Sequence, residues 1–320
     1  MKQLLAIARN TFIESIRQPI FVVVILAATL ALLFSPSLSA YTMGDDNVMM
    51  IGMSLSTLLV AGLLMAAFTA TAALSSEIEN RTVLTVVSKP VARPLFVMGK
   101  FLGVLVAIAL AFWVLTIIFL LTVRHGVMQT VRDHFDGPVL AFGTLAGLLA
   151  LVGATLGNYF YRWVFTSTFV VAMAVLLTLA WVLVLLIDAS WQFQNPATDL
   201  DGQLLIALLL LFEALMVLTA VAVAASTRLG QIMTLLVCAG VFGLGLVSHS
   251  MFQQFAQDSS LAKILGAVIP NLQYLWQADA LTQQHAIPGS HVLLVSAYSV
   301  LYLIAIVSIA VALFQTREVG

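Results

Sequence analysis

The chain has 320 residues, 62% of them hydrophobic and 8% charged, against about 45–50% and 25% in ordinary soluble domains, so no soluble interior is large enough to hide its apolar surface. Thirteen basic and fourteen acidic residues give a formal net charge of −1, and without a basic surplus to neutralise phosphates a nucleic-acid partner is not expected. The single cysteine, Cys238, excludes an intramolecular disulfide and a thiolate metal cluster.

From the start, residues 1–19 mix Leu4, Leu5, Ala8, Phe12, Ile13 and Ile16 with Lys2, Arg9, Glu14 and Arg17. The apolar core before Arg9 is too short for a cleaved signal peptide. The pattern predicts an amphipathic elbow helix lying along the membrane surface ahead of the first span. Eight predominantly apolar stretches follow, at 20–40, 48–74, 101–123, 139–157, 164–187, 204–225, 230–247 and 292–314. Each is close to the roughly 20 residues that cross a hydrocarbon core of about 30 Å. Only residues 158–163 join the fourth stretch to the fifth, and only 226–229 join the sixth to the seventh, which predicts two helical hairpins. Residues 248–290 form the longest loop on the far side, with an apolar patch ending at Pro270 and then Tyr274 and Trp276. The expected fold is one all-α transmembrane domain over residues 1–320, a polytopic helical membrane protein of about eight transmembrane helices.

With the first span entering from the cytoplasm, inner segments collect Lys2, Arg9, Arg17, Arg81, Lys89, Arg93, Lys100, Arg162, Arg228 and Arg317. Outer loops hold only Arg124, Arg132 and Lys263. Lys and Arg favour cytoplasmic loops, so this bias predicts a multi-pass protein of a plasma membrane, the bacterial inner membrane, with both termini in the cytoplasm.

The longest inner loop, residues 75–94, holds Ser76 three residues before Glu79, the spacing of a capping box. Pro90 disfavours helix at Lys89. A short cytoplasmic helix between them would put Ile78, Val83, Val86 and Val87 toward the membrane and Glu77, Asn80, Arg81 and Ser88 toward solvent. The sequon Asn80-Arg81-Thr82 on that side would never be used.

The run from Glu77 and Glu79 through Arg81-Thr82, Ser88-Lys89-Pro90 and Arg93 to Gly99-Lys100-Phe101 resembles the cytoplasmic loop of type-2 ABC-transporter permease subunits. Phe314-Gln315-Thr316-Arg317-Glu318 is similar to the ending common in these subunits. In that family an elbow helix precedes the first span, and a coupling helix between the second and third spans docks on an ATP-binding subunit. The resemblance implies the transmembrane half of an ATP-driven exporter. It further implies two copies of an ABC ATP-binding subunit that carry the ATP and Mg, and a second permease copy or a paralogue alongside membrane lipid. Ser76, Glu77, Glu79, Arg81, Lys89, Pro90 and Arg93 become the partner-coupling residues. Catalytic, metal and cofactor-binding residues are expected to be absent here, in keeping with the missing Gly-x-x-x-x-Gly-Lys-[Ser/Thr] loop. Many members of the family have six spans, against about eight in this chain. Family exporters carry lipids, drugs, peptides or polysaccharides, and no motif in this sequence selects one. Two other classes fit the same residues: a secondary transporter driven by an ion gradient, and a non-transporting scaffold whose loop recruits a soluble partner.

Glu213 is the one acid deep within an apolar stretch. A charge there costs on the order of 2.5–3.5 kcal/mol on insertion scales, so it should face protein or water, with Ala220 and Ala224 on the same helical face. A neutral carboxyl hydrogen-bonded between helices is the simpler reading; a substrate-path or gating residue is the alternative. Gly143 and Gly147, and Gly153 and Gly157, have the spacing of close helix contacts and are expected to serve packing within the subunit. His125, Asp133, His134 and Asp136 share one outer loop but match no metal-ligand pattern, so a solvated loop is expected.

Overall fold

The computed structural model describes residues 2–40, 46–79, 92–128, 135–255, 269–283 and 285–316, with backbone alone at 75–79 and 248–255. Among the described residues there are ten α-helices and no strand: α1 (Lys2–Arg17), α2 (Pro19–Ser39), α3 (Asp46–Glu79), α4 (Arg93–His125), α5 (Gly137–Tyr161), α6 (Phe165–Leu186), α7 (Gly202–Ser226), α8 (Gln231–Phe255), α9 (Ala278–Thr282) and α10 (Gly289–Gln315). Seven of them, α2 to α7 and α10, are long and apolar enough to cross a membrane, while Gln231–Val247 within α8 is a shorter apolar helix. α4, α7 and α3 are the most enclosed, and α5 and α10 the least. Leu148, Leu149, Leu151 and Val152 of α5 and Leu293, Leu294 and Leu301 of α10 are exposed. Large apolar side chains covering the outside of a bundle are what a lipid solvent requires, so the fold defines a membrane-spanning helical protein.

The bend between α1 and α2 is written in Gln18-Pro19. Pro19 forces the residue before it out of helical geometry, and Gln18 is accordingly extended (φ −69°, ψ 131°). As the first residue of α2, Pro19 itself loses no intrahelical bond. Further along α2, Pro36 cannot donate to the carbonyl of Leu32, and the Ser35 hydroxyl takes that oxygen instead at 2.8 Å. Ser35 also meets Ser54 Oγ of α3 at 3.1 Å, which links the two helices.

Two ends of the bundle can be told apart by their contacts. At one, called here the Arg93 end, Thr166 Oγ1 at the start of α6 donates to Arg17 O at the end of α1 (2.9 Å), and Arg93 Nη1 donates to Gln315 O at the end of α10 (2.7 Å). At the other, the Arg124 end, Ile287 N donates to Gln203 Oε1 in the first turn of α7 (2.7 Å). α7 and α10 therefore run parallel. α8 leaves the Arg93 end after Arg228. By Gly245 it lies so near Pro270 O and Leu272 that an added Cβ would stand 2.8 and 2.9 Å from them. Asn271 N in turn donates to Tyr298 Oη of α10 (2.9 Å). Both α1 and the close of α10 thus sit at the Arg93 end.

The hairpin between α5 and α6 closes on Arg162, a left-handed residue (φ 56°) ending α5. Asn158 Nδ2 donates to Trp163 O (2.7 Å), and the Trp163 ring lies where a Cβ on Gly157 would stand, 2.5 Å from Cε3. Only one glycine of each pair meets a neighbour within the subunit, Gly143 loosely and Gly157 closely. Gly157 makes room for this tryptophan of the turn. A Cβ on Gly153 or Gly147 would meet nothing within 4 Å, and one on Gly143 would reach only Leu121 Cδ1 at 3.8 Å.

Candidate functional site

α3 is helical without a break from Asp46 through Ser76, Glu77 and Glu79, so no new helix starts at Ser76. A capping box works by satisfying the free N–H groups of a first turn. Here the preceding turn of α3 already supplies carbonyls to them, and the Ser76/Glu79 spacing has nothing to cap. Arg81, Lys89 and Pro90 lie outside the described residues, as does the rest of the expected helix. The flanking helices are informative. α3 has 34 residues and α4 has 33, about 51 and 50 Å at 1.5 Å per residue, against a hydrocarbon core of about 30 Å. They are the two longest helices among those described, and they bracket the loop.

Arg93 opens α4, after an extended Ala92 and with a proline in the first turn. Two other elements meet its first turns, and a third is tied to one of them. The end of α10 is held by the Arg93–Gln315 hydrogen bond and by stacking of Phe96 on Phe314, with ring centroids 5.5 Å apart. Arg228, in the turn between α7 and α8, donates to Thr316 Oγ1, so two guanidinium groups gather at a helix C-terminus, where the macrodipole favours cations. The elbow α1 docks through glycines. A Cβ on Gly99 would stand 2.7 Å from Ile7 Cγ2, and one on Gly103 would stand 2.5 Å from both Ala8 O and Thr11 Cβ. Beside them the buried Lys100 places Nζ 3.8 Å from Glu14 Oε2 and 5.7 Å from the centre of the Phe96 ring. The elbow is thus fixed to α4, with Thr11, Ser15 and Ile16 buried and Arg9 and Arg17 exposed. Gly103→Leu is expected to undock α1, because the atoms in the way are backbone and a β-branched side chain that cannot swing aside. Faster proteolysis at α1 and a lowered melting temperature in detergent would record it; wild-type behaviour in both would contradict the docking.

Near the middle of the bundle, Ser296 Oγ of α10 donates to Glu213 Oε1 (2.7 Å) and Ser299 Oγ to Oε2 (2.8 Å). The expected hydrogen-bonded carboxyl between helices is present. Its partners lie three residues apart on one helical face; the sequence alone did not single them out, since Tyr298, Tyr302 and Ser308 are polar positions of the same stretch. Ala220 is fully buried on the same side of α7.

At the Arg124 end lies a cluster that cation counting misses. Arg124 is not a solvated loop residue: its side chain is 8% exposed. Nε donates to Asp136 Oδ2 (3.1 Å), Nη1 pairs with Asp199 Oδ2 (3.1 Å) and donates to Val184 O, and Nη2 donates to Ile187 O (2.5 Å). Asp136 is buried as well, and its Oδ1 caps α5 by accepting from Val139 N (3.0 Å). One guanidinium therefore joins α4, the start of α5, the C-terminus of α6 and the 3-10 turn Pro196–Asp199. The expected solvated loop is corrected at Asp136, whose place was legible in Asp136-Gly137-Pro138, an N-cap acid with proline in the first turn. Asp133 and His134 lie outside the described residues, and His125 stacks on Phe135 with centroids 6.1 Å apart. Among the described residues no group of three or more His, Cys, Asp or Glu could hold a metal ion. No protein-family model, curated protein or solved structure matches the chain.

Proposed function

We propose that this chain is the transmembrane subunit of an ATP-driven exporter, in which two ATP-binding subunits act on the loop between α3 and α4. What carries the reading is the convergence on the first turns of α4. The elbow and the end of α10 attach there, next to the loop, and the α7–α8 turn attaches to the end of α10, so a push on the loop moves α4 and everything tied to it. α3 and α4, each longer than a membrane is thick, extend the loop toward a soluble partner. Ser76, Glu77 and Glu79 at the end of α3, Arg81, Lys89 and Pro90 in the loop, and Arg93 at the start of α4 are the proposed coupling residues. We count α8 as the eighth span, since the contacts of Gly245 carry it away from the Arg93 end. This returns both termini to one side, the cytoplasm of a bacterial inner membrane by the cation bias. One elbow and one coupling loop per chain imply a second permease copy or a paralogue, with ATP and Mg held by the partner subunits.

The test is charge reversal at Glu77 and Glu79 together. Both positions lie beyond the apolar stretch that ends at Leu74, so membrane insertion is expected to be normal. Like charges facing each other at a docking surface cost several kcal/mol, so binding of the ATP-binding subunit, or transport per ATP hydrolysed, should fall at least about tenfold. Val83→Pro, which would cost about 3 kcal/mol within a helix, should act alike. Co-purification and substrate-stimulated hydrolysis at wild-type levels in both variants would remove the loop as coupling element and the transporter reading with it.

A further inference from the structure

A cavity of about 650 Å³ lies between α2, α4, α5 and α6 at the Arg124 end, within the range of about 300–1,000 Å³ typical of ligand pockets. Along α2 its lining runs from Thr29 to Ala40, about 16 Å at 1.5 Å per residue. That is close to half of a hydrocarbon core of about 30 Å, the depth of one leaflet. Its mouth faces sideways: Leu33 and Leu140 line it and are 58% and 42% exposed on the outside of the bundle. Gly143 and Gly147 form part of the wall, and the open space beside them is the room their missing side chains leave.

The wall is mostly apolar, and Thr122 and Thr144 in it donate to their own helices; two polar atoms of the lining are buried without a hydrogen-bond partner among the described residues, Nδ1 of His125 and Oγ1 of Thr29. Buried polar groups are nearly always paired; a threonine hydroxyl can turn its proton back onto a carbonyl of its own helix, so it is the ring nitrogen of His125, which has no such recourse, that marks where a ligand atom belongs. The two sit at opposite ends. His125 is the last residue of α4, at the polar end marked by Arg124 and Asp136; Thr29 is midway along α2.

We propose that the cavity binds one acyl chain of a diacyl glycerophospholipid from the leaflet at the Arg124 end, with the ester carbonyl at the top of that chain accepting a hydrogen bond from His125 Nδ1–H. The chain itself fills the space along Leu121, Gly143, Gly147 and Leu177. This inference does not rest on the exporter reading and holds for any membrane function of the chain.

The test uses the full-length protein in detergent and counts retained lipid by native mass spectrometry, with diester phosphatidylcholine and its diether analogue as probes. The diether has the same chains and head group but no ester carbonyl. Wild-type protein should hold one saturable lipid and prefer the diester about five- to tenfold, the worth of one hydrogen bond. His125→Phe, which keeps a ring to stack on Phe135, should abolish that preference. Gly147→Leu projects into the cavity and should eliminate the saturable site, with a melting temperature no lower than wild type, since a Cβ there meets nothing within 4 Å and Leu favours a helix over Gly. Thr29→Val should leave both readouts as in wild type. Equal affinity of wild-type protein for the two lipids, or non-saturable association alone, would overturn the proposal without recourse to any variant. Binding lost in Thr29→Val but kept in His125→Phe would overturn it too, since the ligand's polar group would then sit at the inner end.

Discussion

Arg124→Leu is expected to lower stability by about 3–5 kcal/mol, the range seen when one partner of a buried ion pair is removed. The substitution leaves Asp136, itself buried, without its cation, and removes the donors that hold Val184 O and Ile187 O at the end of α6. Lys in its place supplies the charge but not the planar fork that reaches two carboxylates and two carbonyls at once, so Arg124→Lys should fall between Leu and wild type. Asp136→Asn keeps a good N-cap for α5 while removing the charge that Arg124→Leu strands. The double variant should therefore recover part of the loss, a coupling that a double-mutant cycle measures. Melting in detergent and the yield of folded protein are the readouts. If Arg124→Leu melts with the wild type, the cluster does not hold the four elements together.

Length and hydropathy made most of the bundle legible. The stretch read at 164–187 is α6, Phe165–Leu186, and the stretch at 139–157 grows only to Gly137–Tyr161 for α5, because apolar length is imposed by the bilayer and shows directly in the sequence. The seventh stretch, 230–247, corresponds to the shorter apolar helix Gln231–Val247, and α8 itself continues to Phe255.

Local signatures read less well, for identifiable reasons. Ser76 and Glu79 have the spacing of a cap, but a cap requires a helix to begin, and α3 had not ended. Gly143 and Gly147 have the spacing of a helix contact, but whether a helix or a cavity lies opposite is decided by where α2, far earlier in the chain, is placed. Arg124 was counted as a cation of the outer loop, whereas it lies in the last turn of α4. Counting cannot tell a guanidinium in water from one folded back on helix ends, since that depends on where Asp136, Asp199 and the end of α6 are brought.

At Glu213 the expected result is a sharp split between substitutions, with Gln tolerated and Lys severely damaging. Glu213 lies 11 residues into α7 and Ser299 lies 10 residues into α10, about 16 and 15 Å along two parallel helices, so their meeting is near the middle of both. Gln keeps a carbonyl oxygen for Ser296. Its NH2 can donate to Ser299 Oγ, whose own proton then goes to Ser296 O, already 2.9 Å away. Every group stays paired, and the change should cost no more than about 1 kcal/mol. Lys offers donors and no acceptor, so both serine protons must turn back onto α10 before their oxygens can accept from the ammonium. Its charge alone costs about 2.5–3.5 kcal/mol at the centre of a membrane helix. Glu213→Leu should be milder than Lys, because each serine can turn its proton back onto its own helix. Insertion into membranes and melting in detergent would rank the three as Gln, Leu, Lys. Transport adds a second axis. Full transport by Glu213→Gln means that the carboxyl only joins α7 to α10, whereas a folded, assembled Glu213→Gln without transport would mean that Glu213 handles a proton or the substrate, with the serines holding it in place.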